Sequence, residues 1–233
     1  LHKEFQRGKK EEPLVAVNQL SLNVPTGKIF GFLGSNGAGK STTIKMVCGL
    51  IQPTSGHVLV NGCDIARNRG QAMREIGVVL EGTRNIYWRL SAWDNLMYFG
   101  RLKGIRQRHL KEYAQQMLIE LDLWDRRKEP TGNFSRGMQQ KVAVACALIT
   151  NPAIVLLDEP TLGLDVQSAR TLETWIQKLV TEQGKTIVLT THQLHMAQKL
   201  CDHVAIMHRG KLVANESKTS LMQHTQGADY YEI

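Results

Sequence analysis

Cysteines are few and widely spaced in this sequence, and it has no long apolar run. The four cysteines include no C-x-x-C pair, which disfavours both a zinc site and a disulfide framework, so we expect reduced thiols. No apolar stretch approaches the ~20 residues that cross a bilayer. There is also no internal repeat or low-complexity tract. These absences argue against small disulfide-rich, zinc-binding, repeat and membrane-spanning classes of protein.

Charge is not concentrated in any one segment either. The 233 residues include 29 Lys and Arg against 21 Asp and Glu, a net charge of +8. This excess suits anionic ligands or an anionic membrane surface but gives little support to nucleic-acid binding. The length and the 42% hydrophobic content predict one large α/β domain, or a domain with an insert. The first residue is Leu1 rather than Met, as in a piece of a longer chain, and the charged residues after it do not predict a signal peptide.

Residues 34–41 read G-S-N-G-A-G-K-S, which is a complete phosphate-binding P-loop. Its glycines let successive backbone N–H groups curl around a polyphosphate. Lys40 adds a charge for the β- and γ-phosphates, and the Ser41 hydroxyl is placed to bind Mg²⁺. An apolar strand precedes the loop and a helix follows it, so we expect the chain to bind a nucleoside triphosphate. The predicted nucleotide-binding residues of this segment are Gly34, Ser35, Asn36, Gly37, Ala38, Gly39, Lys40, Ser41 and Thr42.

Two adjacent carboxylates follow the apolar strand predicted at residues 154–157. At that strand end Asp158 can bind Mg²⁺, directly or through water, and Glu159 can deprotonate the attacking water. His192 follows the strand predicted at 186–190, where it can hydrogen-bond the γ-phosphate and hold Glu159 in line. Alone, the acidic pair would be a strand-end cap and the histidine structural. Together with the P-loop they predict hydrolysis, with Glu159, His192 and Lys40 as catalytic residues.

Residues from about 87 to 148 have helical spacing of apolar side chains, which predicts a helical insert. Within it, Ser135 and Gly137 come just before a helix predicted at 138–149, which makes another anion-accepting helix N-terminus. Alone, this pattern would be an N-cap and nothing more. A further helix is predicted at 169–183. Strands are predicted at 15–24 and 76–80, in a hairpin around residues 61–62, and in a terminal hairpin of 204–207 with 211–213.

The combination of motifs resembles the ATP-binding cassette (ABC) family of transporter ATPases. The P-loop matches the Walker A motif, and I-V-L-L-D-E-P at 154–160 matches Walker B with its catalytic glutamate. F-S-R-G-M-Q-Q-K at 134–141 resembles the signature L-S-G-G-Q-Q-Q-R. T-L-G-L-D at 161–165 resembles the D-loop, which makes Asp165 a further nucleotide-contacting candidate, and His192 falls at the switch histidine.

The resemblance implies a single nucleotide-binding domain over residues 1–233. Its fold would be a P-loop NTPase of the α/β class, with a RecA-like core, an antiparallel β subdomain and a helical subdomain at about 87–148. It also implies a head-to-tail dimer around two ATP molecules with Mg²⁺, in which Ser135 and Gly137 of one copy cover the nucleotide of the other. The expected partners are integral-membrane transporter subunits and a second copy or a related ATPase subunit, with no nucleic acid. The expected location is cytoplasmic, at the inner face of the cell membrane.

Three positions depart from the family pattern, and a fourth resembles it less specifically. Arg136 stands at the first glycine of the signature and Met138 at its glutamine. Glu81 stands at the Q-loop glutamine, where a carboxylate can still ligate Mg²⁺ but adds negative charge beside ATP. Phe5 resembles the A-loop aromatic that stacks on adenine, with a core aromatic near the terminus as the alternative.

Residues 82–93 are rich in aromatic side chains and arginine. In the resembled family this region forms the groove for the coupling helix of the membrane subunit, and packing within the helical insert explains the aromatics equally well. The form of the signature and the length look most like exporters of the ABC-2 type.

Two other functions compete with that of an exporter ATPase. A soluble cassette ATPase acting on ribosomes or nucleic acid is the alternative, but such members carry tandem cassettes, coiled coils or zinc modules, and none of these is visible here. A non-hydrolysing regulatory module is disfavoured by Glu159 and His192.

Overall fold

The structure is a computed structural model of the chain, and it describes residues 1–6, 11–82 and 85–220. In chain order the elements of these residues are β1 (Lys3–Phe5), β2 (Leu14–Val17), β3 (Ile29–Leu33), α1 (Lys40–Val47), β4 (Leu59–Val60), β5 (Cys63–Asp64), α2 (Arg69–Arg74), β6 (Ile76–Val79), α3 (Ala92–Leu102), α4 (Gln107–Glu120), a 3₁₀ turn (Thr131–Asn133), α5 (Arg136–Leu148), β7 (Ile154–Asp158), α6 (Val166–Thr181), β8 (Thr186–Thr191), α7 (Leu194–Leu200), β9 (His203–His208) and β10 (Lys211–Ser217).

A six-stranded sheet positions the rest of the molecule. Its strand order is β10-β9-β3-β8-β7-β6, and every pair is parallel except β10 with β9. The register pairs Leu33 with Thr191 and Asp158 with Thr190. Because parallel strands end at the same edge, the loops after β3, β7 and β8 meet there. The α/β class expected from the sequence is confirmed.

The two faces of this sheet are covered by different hydrophobic clusters. Along β7 the side chains alternate, so that Leu157 packs in one cluster and Leu156 in the other. The first cluster includes the buried side of α6, whose Leu172, Ile176 and Leu179 recur at helical spacing. Both faces are buried, as expected for strands that read as continuous apolar runs.

Helices α3, α4 and α5 form the segment that the sequence predicts as a helical insert. Leu96, Leu110 and Leu118 are fully buried there, in the same cluster that covers the sheet. Gly100 lets α3 and α4 cross closely, since a Cβ at this position would lie 2.2 Å from Leu110 Cδ1. Treating this segment as a subdomain stays a prediction, as does the single domain over 1–233, whose residues 221–233 lie outside the described part.

Two short antiparallel pairs flank the main sheet, β1 with β2 and β4 with β5. The predicted hairpin around residues 61–62 is present, and Asn61 and Gly62 have φ values of 48° and 79°, as a type I′ turn requires. The strand predicted at 15–24 is wrong beyond Val17. There Gln19 has a positive φ of 50° and the Leu20 N–H donates to the Leu1 carbonyl at 2.7 Å, which turns the chain.

Two predicted helices begin earlier than expected because of their caps. The helix predicted from residue 138 begins at Arg136, after Ser135, and the one predicted from 169 begins at Val166, after Asp165. Strand β1 and helices α2 and α7 were not predicted. Across residues 1–6, 11–82 and 85–220, no helix combines the length and the apolar character that crossing a bilayer requires.

Candidate active site

The P-loop follows β3 and opens helix α1 in a conformation that needs glycine. Gly39 has φ 102°, and a Cβ there would lie 2.5 Å from the Ala16 carbonyl oxygen. A Cβ on Gly34 would lie 2.3 Å from the Met207 carbonyl oxygen. Neighbouring strands therefore press against the loop on both sides. The first N–H groups of α1 have no intrahelical acceptor, as at any helix N-terminus, and they are available to an anion.

Lys40 lies inside this loop, and its residue is only 5% exposed. Its Nζ donates to the carbonyl oxygens of Gly34 at 2.7 Å and of Ser35 at 3.2 Å. The same Nζ lies 3.7 Å from Glu159 Oε1. A buried ammonium with one nearby carboxylate is well placed to attract a phosphate group.

Ser41 and Asp158 are joined directly. Ser41 Oγ donates to Asp158 Oδ1 at 3.0 Å, and Thr190 Oγ1 donates to the same oxygen at 2.6 Å. Asp158 is almost fully buried, so these two hydroxyls replace its lost solvation. Thr190 also accepts from the Glu159 N–H at 2.9 Å, which makes it a central residue of the site. The sequence did not single out Thr190, because only the register of β7 against β8 brings it beside Asp158.

Glu159 and His192 form the other half of this edge. His192 Nδ1 lies 3.0 Å from Glu159 Oε1, and the Glu159 side chain is 8% exposed against 34% for His192. Glu159 has a φ of 48°, a left-handed conformation that is strained for a glutamate. The hydrogen bond from its N–H to Thr190 Oγ1 helps to hold this conformation. The carboxylate therefore sits between an ammonium and an imidazole.

A cleft of about 500 Å³ brings most of the predicted nucleotide-binding residues together. Phe5 reaches it because β1 pairs with β2, with Phe5 opposite Leu14. Phe5 belongs to neither hydrophobic cluster, and Leu14 and Val15, which the sequence did not predict, line the cleft beside it. The lining residues are Phe5, Leu14, Val15, Ala16, Asn36, Gly37, Ala38, Gly39, Lys40, Ser41, Thr42, Glu81, Glu159, Leu162 and His192.

Six predicted residues are not among those that line this cleft: Gly34, Ser35, Asp158, Ser135, Gly137 and Asp165. The first three are bonded to the lining residues Lys40 and Ser41, whereas the last three lie at the N-termini of α5 and α6. Ser135 is exposed and caps α5, accepting from the Met138 N–H at 3.3 Å. Gly137 is buried against α6, where a Cβ would lie 2.3 Å from Ser168 Oγ. Asp165 caps α6 and accepts from Ser168 Oγ at 2.6 Å and from its N–H at 2.8 Å; these bonds hold the Asp165 pKa below its usual value.

The aromatic segment at 82–93 is partly packed and partly exposed, and its residues 83 and 84 lie outside the described part. Tyr87 stacks on Phe99 with ring centroids 5.8 Å apart, and Trp93 packs on Trp124 at 6.0 Å. Tyr87 and Trp88 are nevertheless 50% exposed. Packing therefore explains part of the segment, and an aromatic surface remains beside it.

A P-loop after a central parallel strand, facing an Asp–Glu pair at the end of a nearby strand, defines a nucleoside triphosphatase of the P-loop class. Comparison with known proteins narrows this class. A family model described as "ABC transporter" matches residues 17–162. The chain belongs to this family, and it is an ATP-binding ATPase of the ABC type.

Individual relatives agree with this assignment. The ABC transporter ATP-binding protein NatA of Bacillus subtilis is 37% identical over 94% of this chain and 89% of its own length. The bacitracin transport ATP-binding protein BcrA of Bacillus licheniformis is 39% identical over 85% of this chain, which spans 63% of that protein. A solved dimeric structure of the ATP-binding cassette MJ0796, in a post-hydrolysis state with ADP and Pi, matches with a TM-score of 0.84 and 26% identity, covering 93% of this chain and 96% of that one.

Proposed function

We propose that this chain binds and hydrolyses ATP to power an exporter of the ABC-2 type through separate membrane subunits. The observation that carries the proposal is the position of Glu159 Oε1, 3.7 Å from Lys40 Nζ and 3.0 Å from His192 Nδ1, at the edge of the P-loop cleft. The relative named for bacitracin transport supports a role in transport.

Nucleotide binding uses groups that already face the cleft. The P-loop N–H groups receive the phosphates, and Lys40 exchanges its bonds to the Gly34 and Ser35 carbonyls for the β- and γ-phosphates. Both carbonyl bonds are made to neutral acceptors, so an anionic phosphate is the stronger partner. Phe5, beside Leu14 and Val15, offers a ring face and an apolar wall to the adenine.

The residues present fit a Mg²⁺ ion. Ser41 Oγ and Asp158 Oδ1 lie 3.0 Å apart, and a hydroxyl with a carboxylate is a donor set that Mg²⁺ accepts when phosphate oxygens complete it. The described residues hold no cluster of three or more His, Cys, Asp or Glu side chains suited to a metal. Glu81 lines the same cleft and is proposed as a further oxygen donor. When bound, the ion would neutralise phosphate charge.

Glu159 is proposed as the general base for water. Its carboxylate can only accept hydrogen bonds when ionised, so the proton between Glu159 and His192 belongs to Nδ1 of the imidazole. That bond orients the carboxylate. The second ring nitrogen of His192 can donate to the γ-phosphate only from an imidazolium, which carries a proton on both ring nitrogens. Thr190 fixes the backbone of Glu159 from below.

A second copy, or a related ATPase subunit, is proposed to complete the site. Ser135, Gly137 and Asp165 lie outside the cleft of their own chain, and a head-to-tail dimer would bring Ser135 and Gly137 over the partner's nucleotide. The exposed aromatic surface at Tyr87 and Trp88 is proposed as the contact for the membrane subunits. The chain would then work in the cytoplasm at the inner face of the membrane, with no nucleic-acid partner.

The proposed base is tested with Glu159→Gln. This variant should bind ATP as the wild type does and should accumulate as an ATP-bound dimer. It should lose more than about 99% of its turnover, because the side-chain amide cannot take the proton from water. Steady-state phosphate release and size-exclusion chromatography with ATP measure these results. Glu112→Gln, the same change on the surface of α4, is the matched control. Hydrolysis by Glu159→Gln at the wild-type rate would refute the assignment, and recovery of ribosomes or DNA rather than a multi-span membrane protein in a pull-down would refute the transport role.

A further inference from the structure

A small cavity of about 30 Å³ adjoins the nucleotide cleft and is lined by an unusual set of charges. Its lining includes three acidic residues, Glu81, Asp158 and Glu159, together with Arg136, which is the first residue of α5. Among the described residues that line this cavity, Arg136 is the one cation against three carboxylates. Lys40 is close to Glu159 but is already bonded to the P-loop carbonyls.

Arg136 and Glu81 have no assigned partner in the described part of the chain. The Arg136 guanidinium lies against the backbone of Gly163, since a Cβ on that glycine would be 2.5 Å from Nη1. Neither the Arg136 nor the Glu81 side chain makes a hydrogen bond or an ion pair with a described residue, and both residues are exposed. They are also two of the positions where the sequence departs from the ABC pattern, one gaining a positive charge and the other a negative charge.

We propose that Arg136 is the charge partner of Glu81, and that the two departures compensate each other across this cavity. A carboxylate in place of a neutral amide adds repulsion toward Asp158, Glu159 and a bound polyphosphate. An arginine stays protonated in any such environment and offsets that charge. The pair links the N-terminus of α5 to the segment after β6. The part of this inference that concerns nucleotide affinity rests on the proposed function, because it assumes that the cleft takes ATP.

The pair is tested by a double-mutant cycle in the full chain, with Glu81→Gln and Arg136→Gln alone and together. Binding of a fluorescent ATP analogue is measured in EDTA, so that metal ligation by Glu81 does not contribute. Arg136→Gln should weaken binding about tenfold in the Glu81 background and less than about twofold in the Glu81→Gln background. Arg136→Lys, which keeps the charge, should retain most of the affinity. Arg108→Gln removes an equal charge from the exposed face of α4 and should leave the affinity for the ATP analogue unchanged.

Ionic strength gives a second readout that packing alone would not produce. The tenfold loss in Arg136→Gln should shrink to about threefold between 0.05 and 0.5 M salt, because screening weakens the uncompensated repulsion. An equal loss in both Glu81 backgrounds would overturn the proposal and assign Arg136 to packing on Gly163 or to direct phosphate contact. No loss in either background would also overturn it.

A nucleotide-free measurement separates this proposal from the proposed function. In urea unfolding without ATP, Glu81→Gln should raise the midpoint in the Arg136→Gln background and lower it in the wild type. Equal shifts in the two backgrounds would overturn the pair even if the chain hydrolyses ATP. If the wild type binds no nucleotide while the unfolding cycle shows coupling, the proposed function fails and the charge pair stands.

Discussion

The edge where β7 and β8 end and the N-terminus of α5 differ in how far they are completed within one chain. At the first, Asp158, Glu159, Thr190 and His192 are held by hydrogen bonds to one another, and Asp158 and Thr190 are buried. At the second, Ser135 is exposed, and its one hydrogen bond to a described residue is the cap of α5. Under the proposed mechanism, the hydrolytic groups are therefore assembled before a partner arrives, whereas the proposed signature residues are presented for one.

The largest effect on ATP binding is expected from a substitution in the P-loop. Lys40→Met removes the buried ammonium and should weaken ATP binding about 100-fold or more, since a charge-assisted contact to phosphate is lost. Equilibrium titration with a fluorescent ATP analogue measures the loss. Lys45→Met, the same change in α1 but away from the cleft lining, is the control and should bind normally. Normal binding by Lys40→Met would place the nucleotide elsewhere.

The next largest effect is expected at the N-terminus of α5, where Ser135 is proposed to meet the partner. Ser135→Arg should abolish ATP-dependent dimerisation, because a long charged side chain would occupy the space over the partner's nucleotide, while monomer affinity stays within about twofold. Analytical ultracentrifugation in the Glu159→Gln background measures the dimer. Gln115→Arg on exposed α4 is the matched control. A dimer of unchanged stability in Ser135→Arg would show that this surface is not the interface.

Thr190 lies at the edge that is complete within one chain, and its loss is expected to lower both stability and turnover. Thr190→Val keeps the shape but leaves Asp158 with one fewer donor and the Glu159 N–H without its acceptor, so we expect a stability loss of about 1–3 kcal/mol and a fall in kcat of about tenfold. Urea unfolding and phosphate release measure the two effects. Thr186→Val lies at the other end of β8, where it removes the acceptor of the Gly27 N–H, and should cost stability without lowering kcat. A normal kcat in Thr190→Val would remove Thr190 from the site.

The smallest effect concerns the cap of α6. The Asp165 pKa is lowered by its bonds to Ser168, so the ionised form stabilises the folded state above the unfolded pKa of about 3.9, and this contribution is lost as the pH falls through the lower folded value. Asn caps nearly as well and does not titrate, so Asp165→Asn should match the wild type closely at pH 7. Urea midpoints at pH 7 and pH 3 check this. The urea midpoint of Asp165→Asn, relative to that of the wild type, should be higher at pH 3 than at pH 7. A relative midpoint that does not change with pH would contradict the ionised cap.

Much of this site follows from residue types at known spacings, and the rest depends on strand pairing. The P-loop, the Asp158–Glu159 pair and His192 were predictable because each motif ends or follows a short apolar run. Thr190 was not, since only the register of β8 against β7 makes it the shared partner of both acidic residues. Leu14 and Val15 were missed for a similar reason: the pairing of β1 with β2 carries them to the cleft beside Phe5.

Helix ends and short elements were the weaker part of the fold prediction. The periodic apolar positions of α5 and α6 located the helices, but their first turns are set by the caps Ser135 and Asp165. The sequence places Ser135 ahead of a helix predicted two residues too late, and it assigns Asp165 to nucleotide contact rather than to a cap. Helices α2 and α7 span six and seven residues, too few for a periodic pattern to emerge. Residue 19 interrupts a good strand pattern through a positive φ that no local composition signals.

Because Glu159 has a left-handed backbone conformation, the residue proposed for catalysis lowers the stability of the fold. A glutamate held at φ 48° is strained, and glycine or asparagine would occupy that conformation at lower cost. A selection that rewards only heat resistance in the nucleotide-free chain would therefore favour loss of the proposed base. Engineered thermostable forms of such a chain should be screened for turnover at every round, because their gain in stability can come from the residue that the reaction needs.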